Sequence, residues 1–282
     1  MIRYCRNPSD SNGGMPELPE IVVISGQMDK ALRGKTIERV SVFQPKCLNR
    51  PEADYHRHLP GKKIESVRPW GKWIHSDLSG HHRFLVSLGM GGEICHLRPD
   101  ERPPEKSRFV LRFTDRTGFY VTLWWFGYVH LVLDGEAHGM TDLLGPDPLK
   151  LKKQEFVSLL RGRKGNIKSF LLNQKRIRGI GNYYIQEILF QSRLHPARAL
   201  SSLSREEREW LFDSIRNVFR ESIRRGSSDY ELDFFGKKGH YSLDRMAFAY
   251  RENASCPVCR TRVVKIRTGT TSQFVCPRCQ TE

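Results

Sequence analysis

The stretch KRIRGIGNYYIQEI (175–188) lies between two runs of helical periodicity and carries glycines at 179 and 181, then Asn182. Glycine lets the backbone approach a partner closely, and Asn182 suits the cap of a helix beginning there. A helix start offers unpaired N–H groups and the positive end of the helix dipole, which suit a phosphate. By itself, a glycine turn between packed helices needs no ligand. With Lys175, Arg176 and Arg178 beside it and Lys168 ahead of it, a phosphate becomes the expected partner.

Outward from this turn the pattern stays helical. EFVSLLRG and IKSFLLNQ precede it, and SREEREWLFDSIRNVFRESIRRG (204–226) follows. The last run places Trp210, Leu211, Ile215, Val218, Phe219 and Ile223 on one stripe, with Ser204 as N-cap and Gly226 as stop. Residues 227–244, SSDYELDFFGKKGHYSLD, are charged and glycine-punctuated and read as a loop. On the N-terminal side, LGPDPL (144–149) marks a boundary, and before it the pattern changes to short β-rich runs. These are TIERVSVF (36–43), KKIESV (62–67), KWIHSDL (72–78), RFLVSL (83–88), RFVLRF (108–113) and YVHLVL (128–133). Short strands separated by Gly, Pro and Asp turns predict a sandwich or barrel. A helix precedes them, EIVVISGQMDKALRG (20–34), with Pro19 in its first turn, Val22, Met28 and Leu32 on its apolar face and Gly34 as stop.

The chain has 282 residues, 38% of them hydrophobic, with 15 Phe, 9 Tyr and 5 Trp, enough for two domains and a small appendage. No apolar run approaches the roughly 18 residues of a membrane span, and the opening MIRYCRNPSDSNGG lacks the apolar core of a secretory signal. A soluble intracellular monomer is expected, cytoplasmic or associated with the nucleoid. Net charge is +16, and it is concentrated. Lys150, Lys152, Lys153, Arg161, Arg163, Lys164, Lys168, Lys175, Arg176 and Arg178 face only Glu155 across that span. The tail carries Arg251, Arg260, Arg262, Lys265, Arg267 and Arg278 against Glu252 and Glu282. Crowded like charges repel unless a polyanion lies beside them, so nucleic acid is the expected partner.

Of seven cysteines, Cys5, Cys47 and Cys95 stand alone and read as reduced thiols, the last two packed in the first domain. The others form CPVC (256–259) and CPRC (276–279). Two knuckles of this spacing, in a segment too short for a core, predict one structural zinc ion held by Cys256, Cys259, Cys276 and Cys279. Such metal binding supplies folding energy to the tail.

MPELPE (15–20), LGPDPL, the IK…GIGN hairpin and the four-cysteine tail together resemble the formamidopyrimidine-DNA glycosylase and endonuclease VIII family of base-excision repair enzymes. The likeness runs from Met15 to Gln280 and includes SLGM (87–90), PPEK (103–106) and HPAR (195–198). It implies an α+β multidomain fold: an N-terminal β-sandwich with an N-terminal helix, a helix-two-turns-helix domain, and a C-terminal β-hairpin zinc finger. The expected divisions are an extension at 1–14, domains at 15–145 and 146–245, and the finger at 246–282. The implied partner is double-stranded DNA holding a damaged base or an abasic site, lying in a basic cleft between the main domains.

The resemblance also implies a mechanism. Pro16 matches the family nucleophile, whose secondary amine attacks the sugar of a damaged, everted nucleotide and forms a Schiff base. Glu17 matches the acid that assists sugar-ring opening, and Glu20 the carboxylate that stabilises the terminus. Lys72, in WGKW (70–73), matches a lysine near the lesion phosphate. Met90 and Phe126 match residues that fill the gap and wedge the duplex. Arg163, Lys168 and Asn182 match DNA contacts of the helical domain. Inside a chain, however, a prolyl nitrogen is an amide and cannot attack. The expectation is therefore that the active form opens at Pro16, after translation from Met15 and loss of that methionine. With residues 1–14 retained, the alternative is an inactive damaged-DNA-binding protein of the same fold. RNA binding, suggested by the glycine-turn hairpin alone, is countered by MPELPE.

Three positions depart from the family pattern. Its void-filling arginine is Trp124 here, which predicts weak preference for the base opposite the lesion. A histidine after PPEK is Ser107, with Arg108 the neighbouring cation. The finger arginine five residues before Cys276 is Thr271, leaving Lys265 or Arg267 as substitutes and the second strand cut in question.

Overall fold

Burial separates the β-rich runs into two four-stranded antiparallel sheets of a sandwich. The computed structural model describes residues 14–242, 246, 252–268 and 271–281; the extension before residue 14, with Cys5, lies outside them. One sheet has the order β1 (Ile37–Val42), β6 (Phe109–Phe113), β7 (Gly118–Thr122) and β5 (Glu93–Leu97). The other runs β2 (Ile64–Trp70), β3 (Trp73–Leu78), β4 (His82–Ser87) and β8 (Tyr128–Val132). Phe84 of β4 meets Phe109 and Phe119 of the facing sheet at centroid distances of 5.5 and 6.2 Å. Such pairs add to the area they bury, and they lock the two layers together.

Helix α1 (Leu18–Leu32) closes one end of this core. Its buried stripe is Leu18, Ile21, Ile24, Met28 and Leu32, so the expected Val22 is displaced from the core face and only half-buried. Asp29 Oδ1 accepts from the Val67 N–H at 2.8 Å and ties the helix to β2. Gly34, at φ +82°, makes the left-handed exit that a side chain would resist. A short helix α2 (Glu52–His58) was not expected. It plants Tyr55 in the core, where its hydroxyl donates to Val129 O at 2.6 Å.

The helical part comprises α3 (Lys153–Leu160), α4 (Ile167–Leu172), α5 (Tyr184–Gln191) and α6 (Arg205–Arg224). At the start of α6, the Glu207 N–H donates to Ser204 Oγ at 3.1 Å, and Glu207 Oε2 accepts from the Ser204 N–H at 2.8 Å. This reciprocal cap is worth about 1 kcal/mol. Leu211, Phe212, Ile215, Val218 and Phe219 are buried, whereas Trp210 is 56% exposed and does not belong to the stripe. The tail folds as an antiparallel hairpin of β9 (Val264–Thr268) and β10 (Thr271–Val275).

Two compact units result. One runs to Asp142 and takes in Gly226–Gly239; the other holds Leu143–Arg225 and the chain from His240 onward. Among the described residues no helix is long and apolar enough to cross a membrane.

Candidate active site and metal centre

Pro16 is buried immediately before α1, and the helix start gathers two buried carboxylates beside it. Glu17 and Glu20 are 2% and 0% exposed. Glu17, in extended conformation at the N-cap, donates its N–H to Glu20 Oε2 at 3.0 Å. Glu20 Oε1 accepts from the Ser228 N–H at 3.2 Å. One carboxylate thus fixes both the helix entry and the glycine-punctuated loop. Two further bonds clamp that loop to α1: Gln27 Nε2 to Asp233 Oδ2 at 2.8 Å, and Phe234 N–H to Gln27 Oε1 at 2.9 Å. Phe234 itself is fully buried in the sandwich core. Sequence reasoning missed this anchoring; the paired Phe234 and Phe235 in a charged loop were its signal. The backbone ahead of Pro16 passes close to the same loop, since a Cβ on Gly14 would come within 2.9 Å of the Tyr230 ring.

Lys72 occupies the tight turn between β2 and β3, which Gly71 makes possible at φ +67°. It is half-buried. Arg108 immediately precedes β6, with its N–H donating to Val121 O at 2.7 Å, while its Nε is buried without a hydrogen-bond partner among the described residues. Ser107, at the position of the expected histidine, is spent on the turn, its Oγ donating to Pro104 O at 2.6 Å.

Met90, Trp124 and Phe126 come together on two adjoining loops of the sandwich. The Met90 N–H donates to Trp125 O at 2.8 Å, and a Cβ on Gly89 would meet that same oxygen at 2.1 Å, so only glycine permits the approach. Phe126 has φ +57° and is 66% exposed, beside Trp125 at 68%, Trp124 at 44% and Met90 at 39%. Large apolar side chains held out on a braced tip are available to a partner rather than part of a core. Trp125 was not singled out from the sequence, although its place in the WWF run was the cue.

In the helical unit the loop around GIGN is built from within. Gln174 Oε1 accepts from the Gly179 N–H at 2.8 Å, Gln174 Nε2 donates to Ile180 O at 2.8 Å, and Gly179 adopts φ +92°. Helix α5 starts at Tyr184 with Tyr183 at the N-cap, so exposed Asn182 lies one residue ahead of the cap rather than at it. Arg163, Lys164, Lys175 and Arg176 are exposed. Two of the cations expected to face a phosphate are buried instead. Arg178 is buried next to Asp147, with nitrogen and oxygen 3.9 Å apart, and Lys168 is only 4% exposed. Lys168 Nζ donates to Thr268 O at 3.1 Å and to the hydroxyls of Thr268 and Thr271, at 2.5 and 2.6 Å. Lys265 and Arg267 are exposed on β9, Lys265 lying over the Phe274 ring at 5.9 Å.

Cys256, Cys259, Cys276 and Cys279 bring their sulfur atoms within 4.8 Å of one another and can hold a metal ion. The Cys256–Cys279 and Cys259–Cys276 sulfurs are 3.8 and 3.4 Å apart. A tetrahedron of thiolates with bonds of about 2.3 Å has edges of about 3.8 Å, so the donor set fits. Phe190, Val263 and Phe274 pack around the cysteines. The Phe274 N–H donates to Gln186 Oε1 at 3.2 Å and Gln280 Nε2 to Leu194 O at 3.0 Å, seating the hairpin on α5 and the segment after it.

Residues 15–127 match the family model described as formamidopyrimidine-DNA glycosylase N-terminal domain, and residues 144–233 the formamidopyrimidine-DNA glycosylase H2TH domain. A formamidopyrimidine-DNA glycosylase of Carboxydothermus hydrogenoformans is 34% identical over 274 residues, spanning 94% of this chain and 100% of the relative. The chain belongs to the formamidopyrimidine-DNA glycosylase family. Its relative from Laribacter hongkongensis is 30% identical over 279 residues, again spanning 94% of this chain and 100% of the other. The Lactococcus lactis glycosylase, solved with DNA containing N7-benzyl-Fapy-dG, superposes with a TM-score of 0.85 at 23% identity, covering 95% of this chain and 100% of that one. The sandwich, two-turn helical domain and cysteine hairpin are therefore the glycosylase fold. Within this chain the family match opens at Met15.

Proposed function

We propose that this glycosylase removes an oxidised base from double-stranded DNA and then cuts the strand at the abasic site, acting in a form that begins at Pro16. The observation that carries the reading is the burial of Pro16 against the helix start where Glu17 and Glu20 converge. Relatives solved with DNA that contains an abasic site or an oxidised pyrimidine support the substrate class.

A terminal prolyl nitrogen is a secondary amine, and an α-amino group has an ordinary pKa of roughly 8, so part of it is uncharged at neutral pH. Its lone pair attacks the sugar C1′, the bond from C1′ to the base breaks, and the base leaves with a proton. Loss of the nitrogen's proton and opening of the sugar ring yield an iminium. Glu17 donates the proton to the ring oxygen. The iminium then draws electrons as the C2′ proton departs, and the bond from C3′ to the phosphate oxygen breaks. Glu20 holds the Glu17 backbone and the Ser228 loop in place rather than meeting the substrate. Lys72, Arg108, Arg163, Asn182, Lys265 and Arg267 serve the DNA backbone, and Met90, Trp124 and Phe126 fill the space left by the everted nucleotide. Zinc is the metal proposed for the four cysteines, where it would order the hairpin and take no part in bond breaking.

With Met15 still attached, the Pro16 nitrogen is an amide and Gly14 lies against Tyr230. That form grips damaged DNA without cutting it. The test is a pair of proteins, one beginning at Pro16 and one retaining residues 1–15, incubated with a duplex containing a formamidopyrimidine lesion. Base release and strand cutting by the first alone are expected; equal release by both would overturn the proposal.

A further inference from the structure

Gly71 and Lys72 span the turn between β2 and β3, and Trp70 and Trp73 are the direct cross-strand pair that closes it. Gly71, at φ +67°, takes the first of the two turn positions, where a positive φ suits the right-handed twist of a hairpin. Lys72 therefore stands on a short base whose direction follows the two indoles. One stretch of chain, residues 138–141, grips both of them. Trp70 Nε1–H donates to Thr141 O at 3.0 Å, and the Arg68 guanidinium lies 5.0 Å over its ring. Trp73 is 6% exposed and packs edge-on against His138 at a centroid distance of 5.4 Å, with His130 at 5.5 Å and Tyr128 at 6.0 Å. His138 is fixed at both ring nitrogens, by His130 Nδ1 at 2.8 Å and Thr141 Oγ1 at 2.7 Å. Neither tryptophan is among the side chains of the sandwich core, so this packing braces the turn rather than the two sheets. A lysine loses much rotamer freedom when its ammonium is held in one place, and a fixed backbone beneath it leaves less to lose.

We propose that Trp70 and His138 are positioning residues for Lys72: by holding the turn through residues 138–141, they place its ammonium group at the lesion phosphate. This rests on the reading of Lys72 given above and deepens it, since it names what aims the lysine. As the bond from C3′ to the phosphate oxygen breaks, its electron pair moves onto that oxygen, and an ammonium placed there offsets the growing charge. A shift of about 1 Å in such a group can cost about 100-fold in rate. Formation of the iminium draws on Pro16 and Glu17 instead. Loosening the turn therefore slows strand cutting and spares the covalent step before it.

The experiment follows single turnovers of the protein beginning at Pro16 on abasic-site DNA, reading strand cutting and the borohydride-trapped adduct separately. Trp70→Phe keeps an aromatic ring and removes the N–H. It should cut the strand roughly tenfold more slowly, the effect of one lost hydrogen bond, while trapping at least as much adduct. Thr141→Val, which takes away the hydroxyl beside His138, should act in the same direction. In a Lys72→Ala background, Trp70→Phe should add nothing, because it acts only through the lysine. The proposal is refuted if neither Trp70→Phe nor Thr141→Val slows cutting, or if cutting and trapping fall together by the same factor. It is refuted equally if Trp70→Phe slows the Lys72→Ala protein as much as it slows the parent. Failure of the underlying reading is distinct: Lys72→Ala alone would then cut like the parent.

Discussion

Removing the Glu20 carboxylate should loosen the helix entry and the Ser228 loop together. In Glu20→Ala, two buried N–H groups, those of Glu17 and Ser228, lose acceptors now at 3.0 and 3.2 Å. An unsatisfied buried donor costs about 1–3 kcal/mol, and more when the lost acceptor was charged, so the pair predicts a loss of about 2–6 kcal/mol. For a unit of this size each kcal/mol lowers Tm by about 2–4 °C, giving a fall on the order of 10 °C. Calorimetry of the parent and Glu20→Ala proteins measures it, and amide hydrogen exchange locates it. Exchange should quicken at Glu17 and Ser228, and also at Phe234, whose N–H is held by Gln27 in the same loop. A Tm change below about 2 °C, with unchanged exchange at those three amides, would refute the claim that this carboxylate joins helix and loop.

Three further outcomes are expected. His130 and His138 are buried with ring nitrogens 2.8 Å apart, a contact that needs one donor and one acceptor and so excludes a doubly charged pair. Burial lowers the His130 pKa to about 4, so the unfolded chain takes up this proton first as pH falls. Stability of the sandwich should accordingly drop as pH falls from about 6.5 to about 4, by a few kcal/mol in all, and His130→Gln should flatten that slope in Tm measurements. Chelation or Cys259→Ser should remove one metal equivalent, abolish DNA binding and leave most helical circular dichroism, because helices α3 to α6 keep their own buried residues. Trp124→Arg should make the rate of base release depend on the base opposite the lesion, seen by comparing four duplexes; an unchanged pattern would count against Trp124 occupying the gap.

Much of the architecture was legible because it depends on periodicity and punctuation. The strands at 36–43, 72–78 and 128–133 alternate or end at clear turns, and Ser204 with Glu207 marks the start of α6. Strands β5 and β7 were missed for a physical reason. All of Gly118–Thr122 and most of Glu93–Leu97 are buried, so neither shows the alternation that signals a half-exposed strand. Helix α2 is polar apart from Ala53 and Tyr55 and too short to display a face. At the candidate site, the motif MPELPE pointed to Pro16, Glu17 and Glu20, and the repeated C-x2-C spacing to the cysteines. Neither signal reveals environment: Lys168 and Arg178 read as cations facing a phosphate, yet each is drawn inside by a partner distant in sequence, Thr268 and Thr271 for one and Asp147 for the other. Met90 and Phe126 posed the opposite problem: taken singly, either side chain suits a core equally well, yet both are held out in solvent.

The covalent mechanism requires above all that the prolyl nitrogen be a free amine. Borohydride reduces an iminium to a stable amine and so captures the covalent intermediate for mapping by mass spectrometry. With abasic-site DNA, the protein that starts at Pro16 should yield a reduced adduct on its terminal peptide, with the mass added at the proline nitrogen. No adduct at all from that protein, or an adduct placed on Lys72 or another lysine, would contradict it.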